Sequence, residues 1–159
     1  MKRYIFHSTI DEQSVEKLID FLNENPKESI DIYFSSGGGR TGLAIFLANY
    51  INERESPVYV HLGDDLHSCA FLFAFLLEKN IVFNPYLQTY SIIHACSAEI
   101  DSKQPGRQYA LESVDKSNEY QLEQFTFLTL AEQIDFKDGK DIYLNYNRLK
   151  KIFLGKKAD

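Results

Sequence analysis

The stretch Ile30-Asp31-Ile32-Tyr33-Phe34-Ser35-Ser36-Gly37-Gly38-Gly39-Arg40-Thr41-Gly42 decides how this chain is read. Ile30–Phe34 alternates and is rich in β-branched and aromatic residues, the pattern of a strand with one buried face. Three glycines interrupt that pattern. From Thr41 onward Leu43, Phe46, Leu47, Tyr50 and Ile51 recur at helical spacing, which predicts a helix with those residues on its buried side. A strand that enters a helix through a glycine turn is the building unit of α/β proteins.

The unit extends in both directions. Upstream, Lys2–Phe6 reads as a short strand, and Asp11 caps an amphipathic helix carrying Val15, Leu18, Ile19 and Leu22, which Asn25-Pro26 closes. Downstream, Val58–Leu62 reads as a strand, Gly63–His67 as a turn, and Ser68–Glu78 as a helix that is apolar all round and so must be buried on nearly every face. Ile81–Phe83 and Thr89–Ile93 are two further short strands, separated by a turn at Asn84-Pro85, and the second leads into His94. Ala95–Gly106 is polar and loop-like. Arg107–Leu130 has helical spacing at Tyr109, Leu111, Val114, Tyr120, Leu122 and Phe125, and its length and charge predict a helix that projects or packs on another subunit. Asp138-Gly139 is a turn, Asp141–Leu144 a short strand or bridge, and Asn145–Phe153 a closing helix. With no internal repeat and no linker, residues 1–159 read as one α/β domain with a mostly parallel sheet and helices on its faces.

Composition narrows the function classes. The 159 residues are 44% hydrophobic and 25% charged, enough for a core without disulfide or metal staples. A net charge of −6 argues against nucleic acid as the main partner, because a phosphate-binding footprint needs clustered Lys and Arg. The basic cluster Arg148–Lys151, with Lys156 and Lys157, reads as a solvated helix end and tail. Cys69 and Cys96 have no metal-ligand spacing and make no disulfide framework, so neither metal nor cofactor is expected and a reducing compartment is the natural setting. Met1–Thr9 has too short an apolar run for a signal peptide, and Cys69–Leu77 is far short of a membrane span. A cytoplasmic protein without a membrane partner is expected.

Two chemistries suit the glycine turn. Gly37–Gly42 fits G-x-G-x-x-G between a strand and a helix, and Asp64 and Asp65 follow at the distance of a ribose-binding acid, which would suit nucleotide binding. A full strand–helix pair precedes the glycines, however, whereas such a fingerprint normally opens its domain. The other chemistry is an oxyanion hole made from backbone N–H groups. Sites of parallel sheets form at the carboxyl ends of strands, and three successive strand ends here carry the glycine turn, the Gly63–Ser68 segment and His94. Ser68 would sit at the N-terminus of a buried helix, where the dipole favours a developing negative charge. Serine there is otherwise an ordinary cap. His94, at a strand end before a polar loop, suits a general base.

These residues resemble a family. Ile32-Tyr33-Phe34-Ser35-Ser36-Gly37-Gly38 is similar to the strand and Ser-Pro-Gly-Gly turn of ClpP, the proteolytic subunit of the Clp protease. Gly63 followed by Ser68-Cys69-Ala70-Phe71-Leu72 resembles its nucleophile segment, Asn80–Pro85 a strand ending in Leu-Pro, Ser91-Ile92-Ile93-His94 the strand bearing the base, and Arg3-Tyr4-Ile5-Phe6 the first core strand. The resemblance implies a ClpP/crotonase-type fold with a handle helix at about residues 107–130, and a Ser-His-Asp peptidase acting on peptides or unfolded protein. It implies Ser68 as nucleophile, His94 as base, Asp141 as the acid (with Asp135 and Asp138 as competitors), and the N–H groups of Gly38 and Cys69 as oxyanion donors. It also implies a homo-oligomeric ring. The family's extended segment ahead of the first strand is missing, which argues against docking to a Clp-type ATPase.

The sequence departs from the family at definite places. Ser36 stands where the family has proline, and Gly63 to Ser68 is about one residue too long, with Asp64 and Asp65 where the family has small or amide residues. Counting from the glycine alone would put His67 in the nucleophile position. Cys69 is a competing nucleophile, since a thiolate at a helix N-terminus has a lowered pKa, although a small core filler suits it equally. Ala95-Cys96 replaces the Gln-Pro that follows the base, and Cys96 reads as buried and inert. A catalytically silent assembly or binding subunit, and a nucleotide- or acyl-CoA-binding protein using Gly37–Gly42, are the alternatives to the peptidase.

Overall fold

The computed structural model of the chain describes residues 1–78, 81–83, 89–97 and 107–155. The alternating segments become four parallel strands, β1 (Lys2–His7), β2 (Ile30–Ser36), β3 (Val58–Leu66) and β4 (Ile81–Phe83), hydrogen-bonded in the order β1-β2-β3-β4. Neighbours in the sheet are neighbours in the chain, joined through α1 (Glu12–Glu24), α2 (Thr41–Asn52) and α3 (Cys69–Leu76). Right-handed crossovers in that order put all three helices on one face. The burial pattern agrees: Phe6, Ile30, Ile32, Phe34, Val58, Val60 and Leu62 are buried, and the alternate positions Ile5, Tyr33 and Tyr59 are exposed.

Local chemistry places each helix. The Asp11 carboxylate accepts the Ser14 N–H while the Ser14 hydroxyl takes the Asp11 N–H, a reciprocal cap that starts α1. The helix ends at Asn25, as Asn25-Pro26 predicts. α2 begins at Thr41, but its buried face is Ala44, Leu47, Ala48 and Ile51; Phe46 is exposed, and Leu43 and Tyr50 are half-buried. The small residues face inward because α2 runs beside both α1 and α3, where alanines let the backbones approach. In α3 seven of eight residues are buried, so no face is left for a polar side chain. Phe71 and Phe75 reach Phe153 of the closing helix α6 (Tyr146–Gly155), and Phe83 of β4 packs on both Tyr146 and Phe153.

The Gly63–His67 turn is not formed. β3 continues to Leu66, and the sheet takes up the extra length as a bulge: Phe34 pairs with Leu62 but Ser36 with Leu66, four residues of β3 against two of β2. The Ser35 hydroxyl, which accepts the Asp65 N–H at 3.2 Å, pins the bulge. Gly63 fits there because a Cβ would lie 2.7 Å from that of Ser35.

The chain divides into two compact units, Met1–Ile92 with Tyr143–Asp159, and Ile93–Ile142. Strands β5 (Ser91–Ile93) and β6 (Ile142–Leu144), which form a separate two-stranded sheet, are cut by the division. In the second unit the expected helix 107–130 is two elements, α4 (Arg107–Gln124) and α5 (Leu130–Lys137). Phe125 and Leu128 turn into the core, Phe125 meets Phe136 edge-on at 6.2 Å, and Thr129 with Glu132 forms a fresh capping box for α5. Within α4 only Gln121 is buried; Tyr109 and Leu111 are exposed. The turn at Asn84-Pro85, most of the 95–106 loop, and Lys156 and Lys157 lie outside the described residues. Among the described residues no helix is long and apolar enough to cross a membrane.

On the sheet face away from the helices, Asp31 is nearly buried and meets His61 Nε2 at 2.9 Å, while Tyr33 stacks on the His61 ring and Arg3 lies over Tyr33. Removing the imidazole leaves a buried carboxylate without this partner. His61→Ala is expected to destabilise the fold by about 1–3 kcal/mol, and Asp31→Asn by less, as read from urea denaturation midpoints. The Ser14 N–H holds the Asp11 carboxyl below its ordinary value. Its contribution is therefore complete above about pH 4 and is lost as pH falls through the lowered native value. Asp11→Ala should lower Tm at neutral pH by about 2–4 °C, with the difference from the unsubstituted protein shrinking in acid.

Candidate functional site

Where β3 meets α3, the backbone does something costly. Ser68 has φ 52° and ψ −131°, and among the described residues no other non-glycine has a positive φ. A side chain in that region costs on the order of 1–3 kcal/mol and persists only where surrounding contacts fix it. The contacts are present. The Ser68 N–H donates to the Ile92 carbonyl at 2.7 Å, the His67 N–H to Ser36 at 3.1 Å, and the Phe71 N–H returns to the Ser68 carbonyl at 3.1 Å. Ser68 is thus the cap residue of α3 in position, but its side chain makes no capping bond. The turn presents the hydroxyl instead of using it.

The glycine turn lies against this serine. Gly38 has φ 104°, and a Cβ there would meet Ser68 Cβ at 2.8 Å and Ser68 Oγ at 3.3 Å. Gly39, at φ 149°, is pressed on the backbone of Ile10, whose carbonyl would be 2.3 Å from an added Cβ. Ile10 clasps the turn, donating to the Gly38 carbonyl at 2.8 Å and accepting the Arg40 N–H at 2.9 Å. Two of the glycines are therefore required by contacts inside the chain. The Gly38 N–H donates to Ser36 Oγ at 3.1 Å, so this serine supports the turn from within. Cys69 is buried at the first position of α3.

His67, the rival of Ser68 by the count from Gly63, is engaged through its ring. Its Nδ1 accepts the Ile92 N–H at 3.1 Å and its Nε2 faces Asp65 at 3.4 Å. Asp65 also raises the Tyr90 phenol above its ordinary pKa. Among the described residues the strand order β1-β2-β3-β4 does not reverse.

In the second unit His94 Nδ1 lies 3.5 Å from Asp141 Oδ1, with both side chains about half exposed. The competing acids are turned to Lys140, Asp135 at 2.6 Å and Asp138 at 3.8 Å, and Asp135 is the first cause of the raised Lys140 pKa. Sequence reading missed Asn118. From α4 its side-chain amide takes both the N–H and the carbonyl of Cys96, two residues after His94. Cys96 is half-buried rather than buried, and its Sγ accepts from Gln121 Nε2 at 2.9 Å. Among the described residues no cluster of His, Cys, Asp and Glu could hold a metal ion.

No family model matches the chain, and no curated protein matches it in sequence.

The contact between Gly38 and Ser68 gives a direct prediction. Gly38→Ala adds a methyl group 2.8 Å from Ser68 Cβ at a backbone angle that favours glycine. The expected loss is about 1–3 kcal/mol of stability, with any reactivity of Ser68 reduced about a hundredfold by its displacement. Gly37→Ala, which meets nothing within 4 Å, serves as the control that should change neither.

Proposed function

We propose that the protein is a serine hydrolase of the ClpP/crotonase type that cleaves peptide bonds, with Ser68 as nucleophile, His94 as base and Asp141 as the acid. The observation that carries this reading is the strained turn at Ser68. α/β-Hydrolases hold their nucleophilic serine on such a strained strand-to-helix turn, where the hydroxyl is exposed at a helix N-terminus. An ordinary capping serine has extended backbone and bonds to the helix it starts. Ser68 does neither.

Each remaining part has support from its own surroundings. Asp141 sits on Nδ1 of His94, the ring nitrogen an orienting acid uses, so that Nε2 is the atom left to take a proton. In the reaction Ser68 Oγ bonds to the peptide carbonyl carbon as its proton passes to His94 Nε2. The C–N bond then breaks and the amine leaves with that proton. Water reverses the sequence, giving the acid product and restoring the serine. The carbonyl oxygen, negative in the intermediate, would take the N–H groups of Gly38 and Cys69. For Gly38 it must displace Ser36 Oγ, a competitor absent where the family has proline. Assembly with further copies of the chain belongs to the same proposal.

A fluorophosphonate probe tests it, since the probe forms an Oγ–P bond with loss of fluoride only at an activated serine. Mass spectrometry should locate one adduct on Ser68, abolished by Ser68→Ala and slowed about 10³-fold or more by His94→Ala. Asp141→Asn should slow it as well, whereas Asp135→Asn should not. A folded protein that takes up no probe sinks the hydrolase and leaves a silent assembly or binding subunit.

A further inference from the structure

Ile92 is gripped at both of its backbone groups by two consecutive residues. Its carbonyl accepts the Ser68 N–H at 2.7 Å, and its N–H donates to Nδ1 of the His67 side chain at 3.1 Å. An N–H can only donate, so Nδ1 must be unprotonated and the imidazole proton must sit on Nε2. Asp65 Oδ1, 3.4 Å from Nε2, is placed to receive it. The Tyr90 ring packs on the imidazole with centroids 4.7 Å apart, and the Tyr90 N–H donates to Asp64 at 3.2 Å, so the ring that covers His67 is itself tied to the β3 bulge. The His67 side chain is only 18% exposed. The hydrogen bond at Nδ1 sets the tautomer, and the packed Tyr90 ring limits the orientation of the imidazole.

The arrangement does two things at once. It ties down the turn in which Ser68 is strained, and it fixes Ile92 within β5. We propose that His67 is a positioning residue, whose imidazole clamps Ile92 and thereby holds Ser68 in its strained turn. This rests on the reading of Ser68 as nucleophile. His67 does not touch the reacting atoms in this scheme, and its Nδ1 acceptor is the property that matters.

Two isosteres separate that property from bulk. In His67→Asn the amide oxygen can stand in for Nδ1, whereas in His67→Gln the amide replaces Nε2 and leaves Ile92 without an acceptor. The measurements are the fluorophosphonate labelling rate at Ser68 and the hydrogen exchange of the Ile92 amide, in the full chain. His67→Gln and His67→Ala should label about tenfold more slowly and lose protection at Ile92 by a similar factor, and His67→Asn should stay within about threefold of the unsubstituted protein on both. If His67→Gln labels as fast as His67→Asn, or the Ile92 amide stays equally protected in both, the positioning role is overturned. Should His67→Ala fail to fold, the Asn and Gln pair still decides. Absence of labelling in the unsubstituted protein would count against Ser68 as nucleophile, and with it against any catalytic role for His67, while Ile92 exchange would still report whether the clamp exists.

Discussion

A serine backbone at positive φ is stable only if its neighbours leave it no alternative, and much of the first unit is arranged to that end. The Ser68 N–H is committed to Ile92, the preceding N–H to Ser36, and the side chain faces a glycine that has no Cβ to oppose it. Behind the turn, α3 has no polar face and cannot rotate without exposing phenylalanines. Each buried Phe or Leu there is worth about 1.5–3 kcal/mol, so the packing of α3 can hold a local strain of comparable size. The glycine turn is fixed in the same way, by the backbone of Ile10 at the start of α1. The strain at Ser68 therefore draws on contacts from Ile10, β2, the glycine turn and β5.

Much of this was legible in the sequence. Period-two alternation gives β1, β2 and β3, the Asp11 cap gives α1, and the continuous apolar run gives α3. Ser68 and the glycine turn could be singled out because both lie where a strand pattern ends and a helix begins. Other features left no local signal. Asp64 and Asp65 look like turn residues, yet β3 runs through them, because at the sheet's end their side chains reach the surface while Leu66 stays in the core. The break between α4 and α5 was hidden because Phe125 and Leu128 continue a plausible helical spacing; only tertiary packing turns them inward. Phe46 is exposed and Ala44 buried, since a helix flanked on both sides favours small residues over large ones.

The site divides along the same line. Residue types at strand ends could be read from spacing, but the grips of His67 on Ile92 and of Asn118 on Cys96 join segments more than twenty residues apart through backbone atoms, which carry no sequence identity. His67 looked like a rival to Ser68 because a count from Gly63 cannot see a β-bulge. The bulge absorbs the extra length, and Ser68 takes the strained position. The G-x-G-x-x-G pattern is likewise reinterpreted: Gly38 and Gly39 make room for Ser68 and Ile10.

The central claim is that Ser68 is poised to attack a carbonyl with its oxygen held by Gly38 and Cys69. A crystal structure of the fluorophosphonate-treated protein tests it most directly. The account predicts continuous density from Ser68 Oγ to phosphorus and a phosphoryl oxygen about 2.7–3.1 Å from the N–H groups of Gly38 and Cys69. An unmodified Ser68 beside an adduct elsewhere would contradict it, as would an adduct whose oxygens point to solvent while Gly38 keeps its bond to Ser36.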